Sequence, residues 1–296
     1  MSKILFRGNC DVTAITQYIK QTSDIVVESA FKGKYLDTVW DASISLYLMQ
    51  SATGRTIENK FVEPAFYPSP EIYRGGKYDG IIISCIGDGI LGVYENITDG
   101  SRLAYGIWTS DATKNDGEDF FNPNIAHGGL PNLSKEDYHW FAQHYKYLGR
   151  TSIDDCVSNY EVFIEKVPQS TKIIMLLGPT ILNVYGERNT ALKNGGKEFH
   201  AQLNTKLVSV LSKYSNVYFI NPSKYYKKPK NKYDMFYYGC PSIDHYPCIT
   251  YLKMAKEISK IISGKKIKVN YLFYIKQKIR RTKKRIREFI QRIVKK

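Results

Sequence analysis

Runs that are apolar on both faces alternate along the chain with segments whose apolar residues recur every three or four positions. That alternation predicts strands of a covered parallel sheet interleaved with amphipathic helices. Ile4 to Phe6 predicts the first strand, and after Arg7-Gly8-Asn9-Cys10-Asp11 the spacing through Ile15 to Ile19 predicts a helix. Ile25 to Val27 reads as a second strand, Val39 to Met49 has helical spacing, and Tyr78-Asp79-Gly80 leads into Ile81-Ile82-Ile83, a third strand ending at Ser84-Cys85. The alternation resumes with a helix around Ile153 to Val167, a strand Lys172 to Leu177 stopped by Gly178-Pro179, a helix from Glu198 to Leu211, a strand Val217 to Ile220 and a closing helix Thr250 to Ile262. Between them, Tyr94 to Leu133 is rich in Gly, Asn, Asp and Pro and weakly periodic, so it reads as a long excursion over the surface. The expected fold is α/β: a three-layer α/β/α sandwich with a central parallel sheet of the flavodoxin-like kind.

A length of 296 residues with 43% hydrophobic residues supports a proper core and excludes a chain disordered throughout. Met1 to Phe6 run straight into the first strand without the basic, apolar and small-residue regions of a secretory signal. No apolar stretch reaches the roughly 18 residues of a membrane span, so the expectation is a cytoplasmic protein. Cys10, Cys85, Cys156, Cys240 and Cys248 are odd in number and widely spread, which predicts free thiols and no zinc site. His139 and His144 lack the His-Glu-x-x-His pattern, and no metal is expected.

Charge divides the chain in two. The net charge is +15, but residues 265–296 hold 14 of the 43 Lys and Arg and one of the 28 acids, leaving 29 bases against 27 acids in residues 1–264. In the C-terminal segment Leu272, Ile275, Ile279, Ile286, Phe289 and Ile293 recur at three- and four-residue intervals, broken by Thr282, with Lys and Arg on the other faces. This predicts a basic amphipathic helix that lies against an anionic membrane surface; an RNA-binding arm or a helix docked on a partner protein are the alternatives. The expected organisation is a catalytic domain over residues 1–264 and a membrane-associating tail over 265–296.

Ligands of open parallel sheets bind beyond the carboxyl ends of the strands. The residues there are Gly8-Asn9-Cys10-Asp11, the stretch Ser29 to Gly33, Ile86-Gly87-Asp88 and Gly178-Pro179-Thr180, joined by Ser242-Ile243-Asp244-His245 just before the closing helix. A thiol at a helix N-terminus loses its proton more readily, which makes Cys10 a candidate nucleophile. His245 is a candidate base near neutral pH, and backbone N–H groups at Cys10 and Gly33 are candidates to hold an oxyanion.

These residues resemble the SGNH (GDSL-like) hydrolase superfamily over roughly residues 3 to 263. Gly8-Asn9-Cys10 looks like the family's nucleophile turn with cysteine in place of serine, and is similar to the turn of capsular-polysaccharide acetyltransferases of the WcbI type. His245 is followed by Tyr251, Ala255 and Ile258 at the family's offsets along the closing helix. The resemblance implies an acyltransferase or esterase on an SGNH fold, with Cys10 and His245 catalytic and Gly8, Asn9, Gly33 and Asp88 around the oxyanion and substrate. The chain departs from the family in two places: no asparagine stands near Ile86-Gly87-Asp88, and Ser242 replaces the aspartate three before the histidine. Asp244, adjacent to His245, is the remaining candidate to accompany it, and the chemistry expected is that of a Cys-His dyad. Asp88 either orients a substrate hydroxyl or forms a turn.

Lys224 to Tyr238 mixes five lysines with six aromatics, suited either to clamping a sugar or carrier phosphates, or to a solvated loop whose tyrosines pack on the body. Gly195-Gly196-Lys197 lacks the spacing of a phosphate loop. The expected function is acyl transfer, most simply of acetyl from acetyl-coenzyme A, to a polysaccharide or lipid-linked saccharide at the cytoplasmic membrane face. A carbohydrate esterase with the same residues, or a non-catalytic carbohydrate-binding scaffold, are the alternatives.

Overall fold

The computed structural model describes residues 2–7, 10–22, 24–29, 44–55, 59–62, 68, 70–105, 111, 113–114, 133–180, 195–228, 236–237, 240–241, 246–264 and, in the C-terminal segment, 276, 279, 282–283, 286–291 and 293. Five strands, β1 (Lys3–Arg7), β2 (Val26–Ser29), β3 (Gly80–Ser84), β7 (Lys172–Leu176) and β8 (Val217–Ile220), pair in parallel in the order β2-β1-β3-β7-β8. This is the flavodoxin-like order, with the chain switching direction of travel beside β1. Register is set by pairs such as Leu5↔Ile81, Ile82↔Ile174 and Met175↔Phe219.

Because successive strand residues point to opposite sides, a strand apolar at every position must be covered on both. Ile4, Phe6, Ile82, Ile174, Leu176 and Ile220 join one core cluster with residues of α1 (Cys10–Thr22) and α7 (Cys248–Ser263). Leu5, Ile81, Ile83, Ile173 and Met175 join a second with α4 (Ile153–Lys166) and α5 (Gly196–Leu211). The chain is therefore α/β with a parallel central sheet, as its periodicity predicts. Cys85 and Cys156 are buried free thiols, and Cys248 is also buried.

The segment expected as a surface excursion is corrected in its first part. β4 (Gly92–Asn96) and β5 (Arg102–Tyr105) form an antiparallel hairpin, and β6 (Tyr145–Arg150) completes a three-stranded sheet in the order β5-β4-β6. The hairpin turns at Gly100, whose φ of +68° favours glycine. Asn96 and Asp99 side chains accept from the backbone N–H of Thr98 and Ser101 in the same turn. α3 (Lys135–His144), absent from the sequence expectation, starts at a capping box between Ser134 and Asp137. Tyr94, Leu103, Phe141, Tyr145 and Phe61 form the core of this second sheet. The helix expected over Val39 to Met49 is found as α2 (Ser45–Ala52); residues 39–43 lie outside the described residues. α2 bridges the sheets: Tyr47 Oη donates to the Ala104 carbonyl at 2.8 Å and accepts from the Ala104 N–H at 2.9 Å.

α6 (Pro222–Tyr225) and two short strands, β9 (Phe236–Tyr237) and β10 (Cys240–Pro241), complete the order before α7. No helix among the described residues is long and apolar enough to cross a membrane.

A candidate active site at the carboxyl edge of the parallel sheet

β1 ends at Arg7 and α1 begins at Cys10, so only two residues separate the carboxyl edge of the sheet from the start of a 13-residue helix. Cys10 is the first residue of that helix, where backbone N–H groups have no partner within the helix. Of the other predicted site residues, Gly8, Asn9, Gly33, Asp244 and His245 lie outside the described residues. The chain on either side of them is described. Tyr246, the residue after His245, donates its backbone N–H to Tyr251 Oη at 3.0 Å, and the two rings meet edge to face at 5.9 Å. Tyr251, Ala255 and Ile258, the three positions along α7 that carry the family resemblance, are all buried in the cluster shared with α1. α7 starts near the carboxyl end of β8, where Thr250 Oγ1 accepts from the Lys227 N–H at 3.4 Å. It ends at the other edge, where Lys172 Nζ, at the start of β7, donates to the Ile261 and Ile262 carbonyls.

Arg7, the last residue of β1, is fully buried. Burial pushes its pKa down to about 9, opposed by the charge of Tyr73. The guanidinium stays protonated near neutral pH and puts a positive charge three residues before Cys10. The signal for it in the sequence is a basic residue directly after the apolar run Ile4-Leu5-Phe6.

Asp88 lies in a 3-10 turn, Gly87–Gly89, directly after β3. Its carboxylate is buried and accepts from the Ser45 N–H at 3.0 Å, Ser45 Oγ at 2.7 Å and Tyr160 Oη at 2.8 Å. Burial pushes its pKa up to about 6 against the pull of those hydrogen bonds. The group ties the end of β3 to the start of α2 and to α4. The neighbouring thiols of Cys85 and Cys156 are pushed up chiefly by burial and secondarily by the charge of Asp88, the setting of inert thiols.

Sequence reasoning passed over His200. α5 carries Phe199, Leu203, Leu207 and Leu211 on its buried face, and His200 and Asn204 sit in the same stripe, four apart. Asn204 accepts from the Gly178 N–H at 3.0 Å and donates to the Gly178 carbonyl at 2.9 Å, so α5 holds the chain two residues past the end of β7. The His200 ring fits between Gly178 and Gly89: a Cβ on Gly178 would stand 2.1 Å from Nδ1, and one on Gly89 2.5 Å from Nε2. The ring is fully buried, and neither nitrogen has a hydrogen-bond partner among the described residues. Burial, aided by the charge of Arg150, pushes its pKa down to about 3. Two polar residues on an otherwise apolar helix face were the available signal.

Beside this group a cleft of about 600 Å³ is lined by Tyr147, Gly149, Arg150, Ser152 and Phe199, among others. The Arg150 guanidinium carbon stands 3.9 Å from the centre of the Phe199 ring. His139 and His144 are elsewhere, on α3; His144 Nδ1 meets the Trp140 carbonyl at 2.7 Å. In the Lys224 to Tyr238 segment, Tyr225 and Tyr226 pack against the α1–α7 cluster, while 229–235 and 238–239 lie outside the described residues.

No protein-family model matches this chain, and no curated protein matches it either.

Proposed function

We propose that the protein is an acyltransferase that moves an acyl group, most simply acetyl from acetyl-coenzyme A, to a saccharide hydroxyl. The observation that carries this reading is the direct passage from β1 into α1 at Cys10, which sets a cysteine at a helix N-terminus on the carboxyl edge of a parallel sheet. Arg7 adds a buried positive charge to the same strand end, favouring the thiolate. The strand order and the two covered faces support the three-layer α/β/α sandwich of the SGNH superfamily. The anchored Tyr246 supports a fixed approach for His245.

In this reading the Cys10 thiolate attacks the carbonyl carbon of the donor thioester; a C–S bond forms and the donor thiolate leaves, taking a proton from His245. The saccharide hydroxyl then gives its proton to His245 as its oxygen attacks the acyl-cysteine, releasing Cys10 as thiolate. The backbone N–H groups of Cys10 and Gly33 would hold the oxyanion. The C-terminal segment supports a location at a membrane surface: its described residues are helical, and Ile279, Ile286, Phe289 and Ile293 are between 49% and 64% exposed on a segment rich in Lys and Arg.

The test supplies acetyl-coenzyme A and a bacterial capsular polysaccharide to wild type, Cys10→Ala and His245→Ala. Ester formation by wild type that falls at least about a hundredfold in each variant is expected, the scale of losing a nucleophile or its base. Transfer unchanged by both substitutions would remove the dyad. Release of acetate from acetylated polysaccharide without transfer would make the protein an esterase.

A further inference from the structure

A buried imidazole whose two nitrogens are unmet among the described residues is an unfavourable arrangement, because each has lost its hydration without gaining a partner. An apolar side chain of similar size would fill the same space at no such cost. His200 is held there by two glycines, at the carboxyl ends of two adjacent strands where ligands of such sheets bind. Next to it Arg150 covers the Phe199 ring at 3.9 Å, and Phe199 meets His200 edge to face at 5.7 Å. Arg150 and Phe199 both line the cleft of about 600 Å³, so this chain of contacts runs from the cleft to the imidazole through a single side chain. The Asp88 carboxylate, beside Gly89, is taken up by Ser45 and Tyr160.

We infer that Arg150 and His200 form a subsite for an anionic oxygen group, a phosphate or a carboxylate of the donor or acceptor. Arg150 supplies the charge and the two-pronged donor geometry suited to such groups. Rotation of Phe199 opens His200 to the cleft, and its ring N–H donates to one oxygen of the bound anion. The anion's being part of a substrate rests on the acyl-transfer reading; its binding does not.

The full chain is labelled with 13C at histidine Cε1 and titrated with sodium pyrophosphate and, separately, sodium acetate, against sodium chloride at matched ionic strength. The protein has only five histidines, and the His200 resonance is the one missing from His200→Leu. A saturable shift of that resonance with pyrophosphate assigns the subsite to a phosphate-bearing group, and with acetate to a carboxylate. The affinity is expected to fall about tenfold or more in Arg150→Gln, in keeping with loss of a charged hydrogen bond. If Arg150→Gln does not fold, Arg150→Lys is expected to fold and to bind several times more weakly, since the fork is lost. A His200 resonance unmoved by either anion, moved equally by chloride, or moved equally in the Arg150 variants overturns the subsite. Cys10→Ala is expected to leave the titration unchanged, so absence of acyl transfer with an intact His200 response would remove the acyl reading alone.

Discussion

At the scale of single residues, His200 and Asp88 make opposite contributions to the pH dependence of stability. The His200 pKa falls from an ordinary 6.5 to about 3, so between those values the unfolded chain binds the extra proton and acidification favours unfolding. The full effect is on the order of 5 kcal/mol, reached below the folded pKa. Asp88 rises from 3.8 to about 6, so its contribution is present at low pH and lost as pH rises through 6. Urea midpoints of wild type and His200→Leu at pH 7.5 and pH 4.5 separate the two, because the Asp88 contribution is common to both proteins. His200→Leu is expected to equal or exceed wild type at pH 7.5, where two unmet nitrogens are removed. It should gain roughly a further 2 to 3 kcal/mol relative to wild type at pH 4.5. A difference that does not change with pH would mean that His200 titrates normally in the fold. Neither residue's state was legible in the sequence. A histidine and an aspartate are ordinary in a helix and a turn, and only the packing of Gly89, Gly178, Ser45 and Tyr160 around them decides their proton affinity.

At the scale of elements, the parallel strands were legible because burial on both faces leaves a continuous apolar run such as Ile81-Ile82-Ile83. Their helices were legible because one stripe alone is buried. The β4–β5 hairpin was not. Its strands are four and five residues long, joined through Ile97-Thr98-Asp99-Gly100-Ser101. A segment dense in turn residues looks the same whether it links short strands or crosses the surface. What makes it a sheet is β6, about 40 residues later, together with the α2 side chains that cover it. Tyr47 is the central link, fully buried and hydrogen-bonded to both backbone groups of Ala104. Tyr47→Phe keeps the ring and removes both hydrogen bonds, and is expected to lower stability by about 1 to 3 kcal/mol. The loss should appear as a lower urea midpoint at unchanged slope. A change within a few tenths of a kcal/mol would show that the hairpin does not depend on α2.

At the scale of the whole molecule, the charge lies apart from the proposed site. Residues 1–264 are nearly neutral, and α7, after which the basic segment begins, ends at the edge of the sheet opposite the start of α1 at Cys10. Removing residues 265–296 is therefore expected to leave the far-UV circular dichroism of the body, and acyl transfer to a soluble acceptor, within about twofold of wild type. It should abolish sedimentation with vesicles containing phosphatidylserine. A basic residue near an anionic leaflet is worth about 1 kcal/mol, so the full chain should bind such vesicles, release them at high salt, and ignore phosphatidylcholine vesicles. Retention of structured RNA with no preference for anionic lipid would assign the segment to nucleic acid instead.

Periodicity, charge and the spacing of Tyr251, Ala255 and Ile258 behind His245 were determined by the sequence alone, because each is a relation between positions near one another in the chain. They yielded the α/β alternation, the parallel strands, the neutral body with its basic end, and a cysteine opening a helix. The tertiary structure decided what depends on distant segments meeting: the β2-β1-β3-β7-β8 order, the second sheet, the burial of Arg7, the capture of Asp88 by Ser45 and Tyr160, and the unmet imidazole of His200. The physical reason is desolvation. Whether a polar group becomes a turn former, a structural tie or a binding residue depends on the water and partners that packing leaves it, and those come from parts of the chain far away in sequence.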